Sequence, residues 1–336
     1  MTGEHARTLV AEARRTGRRQ DTGPPRDPAP EAGTHFAVLV KPEVLTTAAA
    51  ADATTEVLRV LGAGAVTVLR CALLPARDFG ERGGLLLHYP RLHRVAADGA
   101  PALCSGAHRE LRSLMDVSGA AGALGAFEAM AHDASLSPAV LADRCRQAGI
   151  HKLGSGSYAS TLELNGRSVV VLNGFLPALT FGYTGPTALV GLLECHSHRE
   201  IDDLRTHLLG ALHPAAATPA SLRGTLHTLA GRRYGIALSE ARNGVHLSAG
   251  HLEGMFQAWR YFAAADGRGI ESTALGRSLA ARGVPMAAVT ALAADHNLAE
   301  DSGETVAPHG ATENLRRDEV LDRVRQWAAT GKGAEA

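Results

Sequence analysis

Aromatic side chains are scarce in this chain, 4% of its 336 residues, so no core can be built around stacked rings. Small aliphatic side chains in close contact must supply it instead. Cysteine is equally thin: Cys71, Cys104, Cys145 and Cys195 are scattered with no Cys-x-x-Cys pair, which argues against a thiolate zinc site or a disulfide framework and for reduced, mostly buried thiols. Neither sign of charge is in excess, since Lys plus Arg and Asp plus Glu both total 34. Nothing in that balance calls for nucleic acid as a partner. No apolar run reaches the ~20 residues needed to cross a bilayer, and no apolar stretch follows Met1 as it would in a secretory leader. A cytoplasmic protein with no membrane partner is the expectation.

What is present is an ordinary apolar fraction, 45%, on a chain long enough for one large or two modest domains. Residues 1–34 carry Arg14, Arg15, Arg18 and Arg19 and then Pro24, Pro25, Pro28 and Pro30, a composition that predicts a disordered tail. Order is expected from His35, where an apolar run to Val40 reads as a buried strand stopped by Pro42. A helix from Thr46 or Thr47 to about residue 61 and a second strand over Val66–Leu74 follow. Further helices are expected over 78–89 and from near Ser137, where Pro138 suits the first helical turn. Asn165-Gly166 between Ser160–Leu164 and Ser168–Leu172 is a hairpin signal, because both residues tolerate positive φ. A strand over Thr187–Leu193, a helix over His198–Leu209 and helices from Leu252 to Phe262, Ser272 to Arg282, Pro285 to Ala294 and Arg316 to Ala329 complete the reading, with a loop over 300–312. The alternation suggests an α/β sandwich without fixing the strand order.

Several segments carry chemistry. A histidine beside a turn, as in Asn243-Gly244-Val245-His246, is by itself weak evidence of function. Yet Arg242-Asn243-Gly244-Val245-His246-Leu247-Ser248 is preceded, in order, by Phe36-Ala37-Val38-Leu39-Val40-Lys41-Pro42-Glu43, by His88-Tyr89 with Leu92, by Gly185-Pro186-Thr187-Ala188-Leu189-Val190, by Leu209-Gly210 with Pro214, and by Leu222-Arg223-Gly224. Taken together and in this order, the segments resemble the nucleoside diphosphate kinases.

That resemblance covers residues 35–97 and 173–262, leaving 98–172 as an insertion and 263–336 as a C-terminal extension. It implies an α+β fold: a ferredoxin-like βαββαβ core with an antiparallel sheet, with a mostly helical insertion and a helical extension. It implies, too, that His246 accepts the γ-phosphate of ATP or GTP, with Mg2+ on the nucleotide, and passes it to a nucleoside diphosphate or related small-molecule acceptor. Neutral imidazole is nucleophilic near pH 7, and a loose phosphoryl-transfer transition state needs positive charge around it. Lys41 and Arg223 are the implied suppliers of that charge. Tyr89 would steady the phosphate or the ring, Asn243 would meet the sugar, and Ser248 would support the histidine. The family's assembly into homo-oligomers, tetramers or hexamers, is implied as well, but the insertion and the extension would block those contacts, and a dimer is the expectation.

The pattern breaks in places. The glutamate that orients the histidine in the family falls at Gln257, which keeps a hydrogen-bonding amide and loses the charge. Thr206 and Leu212 stand where the family has phosphate-binding side chains, with Arg205 adjacent as a substitute. Gly174 replaces the phenylalanine that stacks on the base, with Phe175 beside it, and Glu240 falls on the opposite wall. Ala249 replaces an aspartate. These changes leave open a catalytically silent nucleotide-binding or scaffold protein and a biosynthetic phosphotransferase acting on a natural-product substrate. The insertion would cover the cleft or form an acceptor pocket. Its Gly154-Ser155-Gly156-Ser157 run reads as a connection more than a phosphate cradle, and His196 and His198 beside Cys195 lack the further ligands of a metal site.

Overall fold

Every residue of the strand Thr34–Val40 is buried, as the apolar run Phe36–Val40 favours. In the computed structural model, which describes residues 3–329, this strand lies within a five-stranded sheet. The order is Gln20–Asp21, Val66–Pro75, Leu189–Ser197, Thr34–Val40, Val245–Leu247, and every neighbouring pair is antiparallel. Helix Ala50–Ala63 joins the first long strand to the second, and helix Leu222–Tyr234 precedes the last. Both contribute to one core, in which Val57, Leu61, Leu222 and Leu226 meet Phe36, Val38, Val40, Leu73, Leu193 and Leu247. The chain is thus a mixed α/β protein with an antiparallel sheet, divided into two compact units.

The first unit holds this sheet and takes the chain up to Arg82, then Tyr183–Ala293, then the chain from Thr312. Its boundaries differ from those expected at residues 97 and 172, because the helices Gly84–His88 and Pro90–Asp98 belong to the second unit. The expected disordered tail is also corrected. Gly3–Thr16 is a helix whose Ala6, Val10 and Ala13 form a buried stripe at helical spacing, and Val10 and Ala13 enter the main core. Arg14 fixes it, donating to the carbonyls of Thr46 at 2.6 Å, Leu45 at 3.3 Å and Thr187 at 3.1 Å. A stripe of such small residues among arginines carries little apolar signal, which is why composition alone misread it. Met1, Thr2 and, at the other end, residues 330–336 of the expected extension lie outside the described residues.

The second unit comprises Gly83–Gly182 and Ala294–Ala311. The insertion within it is not mostly helical as expected: it carries a four-stranded sheet of order Ala123–Gly125, Arg167–Leu172, Ser157–Leu164, His151–Gly154, parallel at the first pairing and antiparallel at the others. The predicted hairpin is its centre, with Asn165 and Gly166 at φ of 51° and 73° as a tight primed turn needs. The flanking strands of three and four residues are too short to show alternation in sequence. The helix Pro138–Ala148 begins where expected, and the Ser137 hydroxyl caps it by accepting from the Val140 N–H. The C-terminal extension is mixed as well: the short strands Leu298–Ala299 and Thr305–Val306 pair where a loop was expected. The last helix, Arg317–Ala329, buries Val320, Leu321, Val324 and Trp327. Among the described residues no helix is long and apolar enough to cross a membrane.

Two connections of the first unit depend on one buried cation. Arg70, on Val66–Pro75, donates from Nε to Asp21 at 2.7 Å and through both terminal nitrogens to Asp266 at 2.7 and 3.1 Å, while its guanidinium lies over the Phe262 ring. Replacing it removes the cation that joins the two carboxylates, leaving Asp21 with Arg19 and Asp266 with Arg268. Arg70→Ala is therefore expected to lose about 2 kcal/mol of stability in urea denaturation, and a loss below about 0.5 kcal/mol, the scale of an exposed pair, would show that the cluster does not hold these segments.

Candidate functional site

His246 occupies the middle of the three-residue edge strand Val245–Leu247 and stands opposite Leu39. Val245 and Leu247 point into the main core, so strand alternation turns the imidazole to the other face of the sheet. There the ring keeps 21% of its side-chain surface exposed, and its Nε2 lies 3.2 Å from Oε1 of Glu253 on helix His251–Ala258. The same carboxylate oxygen accepts from Nε2 of Gln257 at 2.6 Å. Gln257 Oε1 in turn accepts from Ser248 Oγ at 2.7 Å, and Ser248 Oγ accepts the Ala37 N–H at 3.0 Å. Ser248 and Gln257 are buried.

This chain of bonds corrects the expectation for Gln257. The amide stands one step from the ring, and the carboxylate supposed to be lost is supplied by Glu253, one helical turn earlier. Glu253 and Gln257 are i,i+4 neighbours on one helix face, the signal from which this pairing was readable. With the carboxylate accepting at Nε2, the neutral ring carries its proton there and its lone pair on Nδ1.

Basic residues gather around this ring. Lys41 follows the first strand directly and is buried, donating from Nζ to Asn243 Oδ1 at 2.8 Å. Its backbone N–H bonds the Gly244 carbonyl at 2.9 Å, and the Gly244 N–H returns to Glu43 Oε1 at 2.9 Å. The Lys-Pro-Glu and Asn-Gly elements are thus stitched together, with Gly244 at φ 79°, a value that favours glycine. Burial pulls Lys41 down to about 8, and the like charge of Arg223 adds to this while Glu43 opposes it.

Arg223 is in the first turn of helix Leu222–Tyr234, which Ser221 caps by accepting the Gly224 N–H. It donates to the Gly210 carbonyl at 3.0 Å, so the Leu-Gly and Leu-Arg-Gly elements also meet. No helix was assigned at 222–234 from sequence, although Ser221 after Pro219 is the start signal that identifies it. Arg205, in the π-helical turn Leu204–Leu209, donates to the Ala249 carbonyl at 3.1 Å and pairs with Glu313 at 2.8 Å. Desolvation, then the positive charges of Lys41, Arg223 and Arg205, hold the His246 imidazole well below its usual range. The ring is neutral at pH 7.

The first unit therefore brings Lys41, Arg205, Arg223, Asn243, His246, Ser248 and Gln257 together. Tyr89 and Phe175 belong to the second unit: Tyr89 follows the helix Gly84–His88 with its ring edge-on to His88, and Phe175 precedes Leu176–Phe181 against Tyr158. Gly174, beside Phe175, is bare because a Cβ there would collide with Cys145 Sγ. Asn243 is committed at both ends of its amide, receiving from Lys41 and giving to the Glu240 carbonyl at 2.9 Å. It acts as the brace of the lysine in this structure. Leu212 is half exposed. Sequence reasoning missed Glu253, and also Glu313, which is remote in sequence from everything it touches.

Comparison of the chain with protein-family models, curated proteins and solved structures finds no match in any of the three.

The charge arrangement is open to direct measurement. Histidine-selective NMR is expected to show His246 as the neutral Nε2–H tautomer at pH 7, protonating only well below 6.5. Lys41→Met removes one of the cations that oppose protonation, so the His246 midpoint must rise in that variant; an unmoved midpoint would mean that the lysine charge does not reach the ring.

Proposed function

We propose that this chain is a phosphotransferase of the nucleoside diphosphate kinase type. In this reading His246 takes the γ-phosphate of a nucleoside triphosphate, ATP or GTP, and delivers it to a nucleoside diphosphate or a related small-molecule acceptor. One observation carries the proposal: a neutral imidazole, fixed by a carboxylate at Nε2, stands partly exposed among the charges of Lys41, Arg205 and Arg223. The sheet supports it too. Taken in chain order, its four longer-paired strands lie as second, third, first, fourth, with helices after the first and before the fourth, an order compatible with a ferredoxin-like βαββαβ core.

The chemistry follows from the residues. Nδ1 attacks the γ-phosphorus, forming an N–P bond as the bond to the bridging β,γ-oxygen breaks and the diphosphate leaves. An acceptor phosphate oxygen then attacks the same phosphorus, and the electron pair returns to Nδ1. Glu253 holds the Nε2 proton and stabilises the positive charge that grows on the ring in the first step. Gln257 and Ser248 keep that carboxylate aimed. Lys41 and Arg223 meet charge spread over the equatorial oxygens. Magnesium would arrive on the substrate phosphates, where it neutralises charge, and needs no dedicated protein cage.

A second reading, nucleotide binding without transfer, is favoured by one feature, the engagement of Arg205 by Glu313. The two separate in a labelling assay. Incubation with γ-labelled ATP and Mg2+ is expected to give acid-labile, base-stable label on the protein, absent from His246→Ala and formed roughly 10²-fold more slowly by Glu253→Gln. Label that persists in His246→Ala excludes this histidine; binding of ATP with no label in the wild type leaves the silent reading standing.

A further inference from the structure

Arg205 already has an anion on it, the carboxylate of Glu313. The segment Thr312–Asn314 crosses the turn that follows the histidine strand. Asn314 donates its backbone N–H to the Ala249 carbonyl at 3.1 Å, and a Cβ on Gly250 would stand 2.7 Å from the Thr312 carbonyl. A crossing backbone thus fills the space in which residue 250 would carry a side chain. From there Glu313 Oε1 lies 2.8 Å from Nη2 of Arg205, and Asn314 Oδ1 accepts from Nη1. Asn314 has φ of 60°, a left-handed value that asparagine accepts more readily than most residues. One bend therefore delivers both side chains to the guanidinium.

The pair is neither sealed nor freely solvated, with Arg205 25% and Glu313 19% exposed. Only one oxygen of the carboxylate meets the guanidinium, on a single nitrogen. Such a contact uses less of the guanidinium fork than a two-point grip does, and a phosphoryl group offers more charge and more acceptor oxygens.

The geometry points to Arg205 as an anion subsite beside His246 that Glu313 keeps filled from within the chain, and that a phosphate-bearing ligand opens by displacing the Thr312–Asn314 latch. The identity of the ligand as a phosphate compound rests on the phosphotransferase reading above; the exchange of anions at Arg205 does not. Removing the internal carboxylate, or loosening the bend that carries it, raises the affinity for the external anion.

Inorganic pyrophosphate is the probe, titrated calorimetrically into the full chain. Glu313→Gln is expected to bind it about tenfold more tightly than the wild type, within the usual range of such couplings. Asn314→Gly, which keeps the left-handed φ and every charge while deleting the side-chain contact to Arg205, shifts affinity the same way and decides the matter if the first variant does not fold. In the wild type, pyrophosphate also speeds amide hydrogen exchange at Asn314. Equal or weaker binding by the folded variants, or exchange at Asn314 unchanged by pyrophosphate, overturns the latch. Tighter pyrophosphate binding by Glu313→Gln with no phosphohistidine from ATP sustains the subsite and sinks the kinase reading. Phosphohistidine forming with the same ATP dependence in wild type and Glu313→Gln does the reverse.

Discussion

The pairing of Val245–Leu247 with Val38–Val40 sets which face of the sheet receives the imidazole. Side chains alternate along a strand, so a slip of one residue would send His246 into the apolar core and bring Val245 or Leu247 out. Three residues are a small basis for register. The bond from the Lys41 N–H to the Gly244 carbonyl extends it at one end and the bond from the Ser248 N–H to the Ala37 carbonyl at the other, both 2.9–3.1 Å. The residues that lock the histidine strand in place are thus the neighbours of the residues that surround the ring, and positioning and chemistry cannot be altered separately here.

Around that strand the protein arranges charge in buried, mutually constrained groups. Lys41 is braced by Asn243, Arg223 by the Gly210 carbonyl and Arg205 by Glu313. Each cation has a partner that holds its direction, and burial makes each charge felt at the ring more strongly than water would allow. The depressed basicity of His246 and of Lys41 follows first from burial and then from the like charges nearby.

Much of this was legible in the residues themselves. Thr34–Val40, the strand from Val66, the hairpin at Asn165-Gly166 and the helix start near Ser137 all follow from local chemistry, and local chemistry decided them. The meeting of Lys41, Asn243, Arg223 and Gly210 was implied by a likeness of pattern, not by any one spacing. Glu253 was within reach of the same reasoning and was passed over in favour of Gln257, because counting along a motif cannot tell which of two side chains on one helix face arrives first. The N-terminal helix and the sheet of the second unit escaped for other reasons: a stripe of alanine and valine is faint, and strands of three or four residues have no period to detect. Glu313 has no local signature at all, since its meaning comes wholly from the long-range return of the chain.

The interleaving of the two units carries a consequence for biosynthesis. Thr34–Val40 and Val66–Pro75 leave the ribosome early, yet they are joined through Leu189–Ser197, which is made only after the 83–182 segment. Until then a mostly apolar strand has no hydrogen-bonding neighbour on either side, the kind of exposed edge that chaperones capture and that aggregates form from. Ala294–Ala311, which belongs to the second unit, emerges later still. Nascent chains of this protein must therefore carry a half-built five-stranded sheet while the whole of the second sheet is made, and pairing between distant strands is the slow step in assembling the site.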